Sequence, residues 1–196
     1  MARAGVSGDA GMTLAELMVT MAVTSVVMAL ATAGIVGMYR ITNRSDVLSG
    51  EMTQLQTAFQ LLDRSVRYAT AISQPNPAAS AAGGWYVEWT STAGTTTVCS
   101  QLRLNVPSSL LQRRSEPAGG QPGPWTTVAS FLSGTQPFTL QPASTSGYPH
   151  QRLTIDVTVR PSAGSSLARR SNFSFTALNT SLATVSTGVC ADMGRP

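Results

Sequence analysis

Apolar residues fall along this chain in three successive patterns. After a small, polar stretch at residues 1 to 11, MARAGVSGDAG, the run Leu17 to Met38 is almost unbroken apolar sequence. Wound as a helix at about 1.5 Å per residue, that run extends roughly 33 Å, enough to cross a bilayer core of about 30 Å. Thr20, Thr24, Ser25 and Thr32 are tolerable within it. From Leu48 the pattern changes to Leu48, Met52, Leu55, Phe59, Leu62, Val66 and Ala69, steps of four and three that form one stripe along an amphipathic helix. The stripe is short and runs directly into strand-like sequence, so packing on the protein's own sheet is expected rather than a coiled coil. Asp63 and Arg67 are placed to pair one turn apart, and Pro75 with Pro77 predicts a stop near Ala71. The two segments read as one long, bent helix, with Gly34, Gly37 and Gly50 the expected points of curvature or local melting.

After Pro77 the third pattern begins: short β-rich runs broken by Gly, Pro and Ser. Expected strands are Trp85 to Thr90, Thr96 to Leu104, Thr126 to Phe131, Phe138 to Gln141, Arg152 to Arg160 and Asn172 to Leu178. In the clearest, Leu153, Ile155, Val157 and Val159 alternate with Thr154, Asp156, Thr158 and Arg160, one face for the helix and one for solvent. Ser115 to Pro124 reads as a breaker-rich loop, and Ser144 to Pro149 as a shorter one. The fold class is therefore α+β: a long N-terminal helix packed on a C-terminal antiparallel sheet.

Composition adds exclusions. The chain has 196 residues, 42% hydrophobic and 11% charged, which excludes a highly charged disordered chain. All 13 basic residues are arginine, and a net charge of +4 spread over the chain is a weak electrostatic footprint for nucleic acid.

An acid stands at the head of the apolar run. A carboxylate at the edge of a membrane helix costs free energy unless it is paired or reaches the interface, so Glu16 needs a reason. Gly11-Met12-Thr13-Leu14-Ala15-Glu16, running straight into a membrane-length helix, resembles the processing motif of type IV prepilins and type II secretion pseudopilins. The family's usual form is Gly-Phe-Thr-Leu-x-Glu, with Met12 here in the phenylalanine position. The resemblance implies cleavage between Gly11 and Met12 by a prepilin peptidase, methylation of the new N-terminus, and a role for Glu16 in docking the subunit into a filament. Scission leaves a positive amine at Met12 and a negative carboxylate at Glu16, which can neutralise one another between neighbouring subunits. The competing reading is a secretory signal peptide, for which Ala29-Leu30-Ala31 and Ala31-Thr32-Ala33 offer small-x-small sites. The length of the run and the acid at its start count against it. Arg40 and Arg44 follow the run while only Arg3 precedes it, so the positive-inside rule does not support the orientation. The stretch Gln54 to Ile72 is similar to the second half of the first helix in W-type minor pilins and J-type pseudopilins.

Two cysteines, Cys99 and Cys190, fall in the part that this reading places outside the cytoplasm, where disulfides persist. They are expected to pair, with two buried free thiols as the alternative. His150 is the only histidine and reads as an exposed turn residue, and the cysteines lack zinc-ligand spacing, so no metal site is expected. No Gly-x-Ser-x-Gly turn, Walker loop or lysine is present, so no catalytic residues and no cofactor are expected. Glu88 and Asp156 would form a carboxylate pair only if folding happened to join them. Arg113-Arg114 and Arg169-Arg170 are candidate phosphate contacts beside Trp85, Trp89 or Trp125. Solvated loop arginines, with the tryptophans as core residues or loop anchors, are the better reading.

The resulting organisation is a leader over residues 1–11, a transmembrane and filament-core helix over 12–39, the amphipathic continuation over 40–76 and a β-rich extracytoplasmic domain over 77–196. The expected role is a non-enzymatic filament subunit, a minor pilin or pseudopilin. Its expected partners are prepilin peptidase, other pilin subunits and the assembly platform in the membrane, with DNA contact disfavoured. A membrane-anchored binding module or adhesin that never polymerises is the alternative.

Overall fold

The computed structural model describes residues 13–80, 83–160 and 168–194. The leader, Gly11 and Met12, and therefore the expected cut, lie outside the described residues. The chain divides into two compact units, Met1–Asp46 and Val47–Pro196. One helix, α1 (Leu14–Arg67), supplies the described secondary structure of the first unit and the opening element of the second. It runs without a break through Gly34, Gly37 and Gly50, so the local melting expected there does not occur. A mid-helix glycine costs only about 1 kcal/mol against alanine, and each of these is flanked by residues that carry the helical period.

In the second unit the stripe buries as its period requires. Leu55, Phe59, Leu62 and Val66 are buried and Met52 packs against them, while the side chain of Leu48 is outside the described set. The helix ends four residues earlier than Ala71. The carbonyl of Arg67 accepts the N–H of Leu178 at 2.9 Å, and that of Tyr68 accepts Asn179 Nδ2 at 3.1 Å, so the last turn is satisfied from a distant segment. The chain then enters a strand, β1 (Ala69–Ile72), that the helical period had concealed. Thr70 Oγ1 lies 3.0 Å from Thr90 Oγ1, and Ile72 N donates to Gln151 Oε1 at 2.9 Å.

Strands β1, β2 (Gly84–Ala93), β3 (Thr96–Asn105), β4 (Leu110–Pro117) and β5 (Thr126–Ala129) form an antiparallel sheet in that order. A second antiparallel sheet is built on β8 (Arg152–Val159), which pairs with β6 (Leu132–Ser133), β7 (Phe138–Gln141) and β9 (Arg169–Thr176). The expected α+β class holds. Strand β4 corrects the expected loop from Ser115, which starts after Pro117 instead. Strand β5 stops at Ala129 rather than Phe131, whose φ of 58° is left-handed and breaks the pleat. Strand β9 begins at Arg169, three residues before the expected Asn172, because Arg169 and Arg170 pair with Val159 and Thr158.

Register explains the core. Trp85, Val87 and Trp89 lie opposite Leu104, Leu102 and Ser100, and Leu104 lies opposite Leu111. The apolar members of these pairs meet Leu153, Ile155, Val157 and Val159 of β8 and the helix stripe in one buried cluster. The alternation expected of β8 is therefore present, and Phe59 stacks on Phe173 with ring centroids 3.4 Å apart.

Candidate functional site

The N-terminal helix begins with a capped first turn. Thr13 is the last residue before α1, and its Oγ1 accepts the backbone N–H of Glu16 at 3.3 Å while its carbonyl accepts Leu17 N–H at 3.2 Å. Thr13-Leu14-Ala15-Glu16 thus has the spacing of a capping box, and Glu16 lies in the first turn, where the helix dipole favours negative charge. The carboxylate itself is exposed. Among the described residues two ion pairs form, Arg67 with Asp63 and Arg170 with Asp156, and Glu16 belongs to neither.

Leu14–Asn43 is long and apolar enough to cross a membrane, with mean hydropathy 2.1 and nothing in its apolar window buried. Its hydroxyls turn inward on the helix. Thr24 donates to the Thr20 carbonyl at 2.7 Å, Ser25 to Met21 at 2.7 Å, and Thr32 to Met28 at 2.8 Å. Each of these three hydroxyls is satisfied within the segment, as an apolar environment demands. What remains outward is a sleeve of Leu, Met, Val and Ile side chains, with Leu30 and Met38 each at least 70% exposed. Such a surface is unfavourable in water and calls for lipid or other helices.

The two cysteines are joined, Cys99 to Cys190, with Cα atoms 5.6 Å apart. Cys99 lies on the face of the first sheet opposite the core, beside Glu116 on β4. The bond straps the C-terminal segment over that face. Met193, at the end of a 3-10 turn (Ala191–Met193), is buried, and Arg114 donates to the carbonyls of Met193 and Gly194.

Arg113 and Arg114 are strand residues rather than solvated loop arginines. Arg113 faces the core, donates to Ser100 Oγ at 3.1 Å and lies 5.9 Å from the Trp89 ring, and burial lowers its pKa. Arg114 faces outward, donates to Gln101 Oε1 at 2.7 Å and sits 4.5 Å from the Trp125 ring centroid, which Arg103 approaches at 4.0 Å. Trp85 and Trp89 are core residues. Arg169 is exposed, and Arg170 is hydrogen-bonded to Asp156. The four arginines therefore do not form one patch. His150 is half-buried rather than an exposed turn residue, its Nδ1 2.6 Å from the Thr180 carbonyl.

A buried polar layer escaped the sequence reading. Glu88 accepts from Ser73 Oγ and Gln101 Nε2, each at 2.7 Å, while Asp156 lies on the other sheet, so those two carboxylates are not a pair. Among the described residues no group of three His, Cys, Asp or Glu side chains is placed to hold a metal ion.

Residues 7–32 match the family model of the prokaryotic N-terminal methylation motif. The chain carries a prepilin-type N-terminus. That motif spans Gly11, Met12, Thr13, Leu14 and Glu16 and supports a type IV pilin-like protein. It implies processing by prepilin peptidase and assembly with other pilins, and the exposed apolar helix behind it fits a membrane-anchored pilin. No curated protein and no solved structure matches the chain.

Proposed function

We propose that the protein is a structural, non-enzymatic subunit of a type IV pilus-like filament, of the minor pilin or pseudopilin class. Its leader is cut between Gly11 and Met12 by prepilin peptidase, and the new N-terminus is methylated. The subunit waits in the cytoplasmic membrane with residues 47–196 outside, then enters the filament through its helix at the assembly platform. One observation carries the reading: an apolar helix with nothing buried in its membrane-length window begins at Leu14, inside the stretch 7–32 that matches the methylation motif, and continues beyond it to Asn43. Moving that helix from lipid into a bundle of related helices keeps its apolar surface from water throughout. Glu16 fixes register by meeting the Met12 amine of a neighbour, a pairing strengthened by low dielectric.

The test separates Glu16 from helix formation. The cap on Glu16 N–H comes from Thr13 Oγ1, so the helix start survives Glu16→Ala. This variant is expected to be processed normally and to be depleted from sheared filaments relative to wild type. Incorporation at the wild-type level would refute the register role.

A further inference from the structure

The second sheet has a polar outer face, and a groove lies on it. The inner side of β8 is spent on the core, leaving Thr154, Asp156 and Thr158 facing outward, in register with Ser174, Asn172 and Arg170 of β9. A cavity of about 620 Å³ opens over these residues, walled on one side by Gln136 and Pro77. That volume falls within the range of about 300–1,000 Å³ usual for small-molecule sites. The wall is held in place: Gln136 adopts a left-handed φ of 50° and its Nε2 donates to the Pro77 carbonyl at 3.0 Å. A non-glycine residue in that conformation stores strain, which tends to collect where a surface is shaped for use.

Charge and hydrogen-bonding capacity decide what the groove suits. Arg170 Nε donates to Asp156 Oδ1 at 2.8 Å, its Nη2 donates to Oδ2, and Asn172 Nδ2 donates to Oδ2 at 3.4 Å. Asp156 is therefore oriented and ionised; Oδ2 already accepts two bonds, and Oδ1, which accepts one, keeps acceptor capacity for a ligand donor. The ion pair is neutral in sum, so an anion finds its cation already taken and a metal ion finds one neutralised carboxylate. The nearest aromatic side chain, Phe138, is only 5% exposed and offers no stacking face to a heterocycle. What remains is a ligand whose groups donate and accept together: hydroxyls donate to Asp156, accept from Asn172, and do both with Thr154 and Thr158.

We propose that the groove over Asp156, Arg170 and Asn172 on the outer face of the second sheet binds a neutral sugar. The site does not depend on filament assembly, so the two readings fail separately.

The experiment uses the full-length protein, ¹⁵N-labelled, in micelles of a detergent without a sugar headgroup. Maltose, lactose and diacetylchitobiose are titrated in turn while amide shifts are followed. At least one disaccharide is expected to shift amides of β8, β9 and the Gln136 turn saturably. Asp156→Asn is expected to weaken that binding about tenfold to a hundredfold, the usual cost of losing hydrogen bonds to a charged group. Arg170 is largely exposed and Asp156 half-buried, and the substitution keeps the side chain's shape, so the variant keeps the fold, and unmoved core amides verify this. Thr158→Val serves as a second variant that leaves the ion pair intact and is expected to weaken binding in the same assay. Absence of saturable shifts with all three sugars, shifts mapping outside the groove, or wild-type binding by both variants would overturn the proposal.

Discussion

Removing the disulfide by Cys99→Ala with Cys190→Ala tests how the C-terminal segment is held. The bond spans 91 positions. Releasing a loop of that size returns about 4.6 kcal/mol of chain entropy to the unfolded state at 25 °C. For a unit of about 150 residues, each kcal/mol shifts Tm by about 2–4 °C, so a fall of roughly 9–18 °C is expected. The folded state should persist below that temperature. Met193 remains buried and Arg114 still donates to the carbonyls of Met193 and Gly194, so the strap keeps noncovalent anchors. Thermal unfolding of the full chain in micelles is best followed by near-ultraviolet circular dichroism, because the buried Trp85 and Trp89 report the globular unit while the apolar helix stays helical in detergent. A fall of less than about 3 °C would refute the loop-closure reasoning. A near-ultraviolet signal already lost at low temperature would refute the view that the bond acts mainly on the unfolded chain.

The helix stripe makes a paired prediction: Leu62→Ala, at a fully buried position, lowers unfolding free energy by about 2–5 kcal/mol, while Leu61→Ala, 48% exposed, changes it by less than about 0.5 kcal/mol in the same denaturant titration. Equal effects would mean that the helix is rotated from the placement described. Hydrogen bonding from Arg170 holds the Asp156 carboxyl below its ordinary value, with a smaller contribution from Asn172. A depressed folded-state value means that the pair's stabilisation is complete above the unfolded pKa of about 3.9 and disappears as pH falls through the folded value. The stability difference between wild type and Asp156→Asn is therefore expected to be constant from neutral pH to about pH 5 and to shrink below about pH 4, and a difference that grows on acidification would contradict the assigned direction.

How much was readable in advance depended on whether a residue's neighbours lay nearby along the chain. The apolar helix was legible because crossing length and hydropathy are one-dimensional, and β8 because Leu153 to Val159 alternates without interruption. The disulfide was expected from the domain's place outside the cytoplasm, with two buried free thiols as the alternative until Cys99 and Cys190 were brought together by the fold. Strand β1 was not: Ala69 continues the helical stripe, and what ends the helix is the arrival of Leu178 and Asn179 from more than a hundred positions away. Strand β4 was hidden for a related reason. Arg113 and Arg114 look like solvated residues until Ser100, Gln101, Trp125 and the C-terminal carbonyls are brought beside them. Glu88 sits in an apolar strand as though facing water, and the strap that covers it is distant in sequence. The groove on the second sheet was invisible for the same cause, since its wall and floor come from separate segments.

Processing of the N-terminus decides most directly whether the chain is a filament subunit. The full-length chain is expressed in paired strains, one with a prepilin peptidase and one without, and the membrane fraction is analysed by intact mass and N-terminal sequencing. A chain beginning at Met12, methylated and formed only when the peptidase is present, is the predicted result. A chain left uncut in both strains, or cut near Ala31 or Ala33 in both, would contradict it.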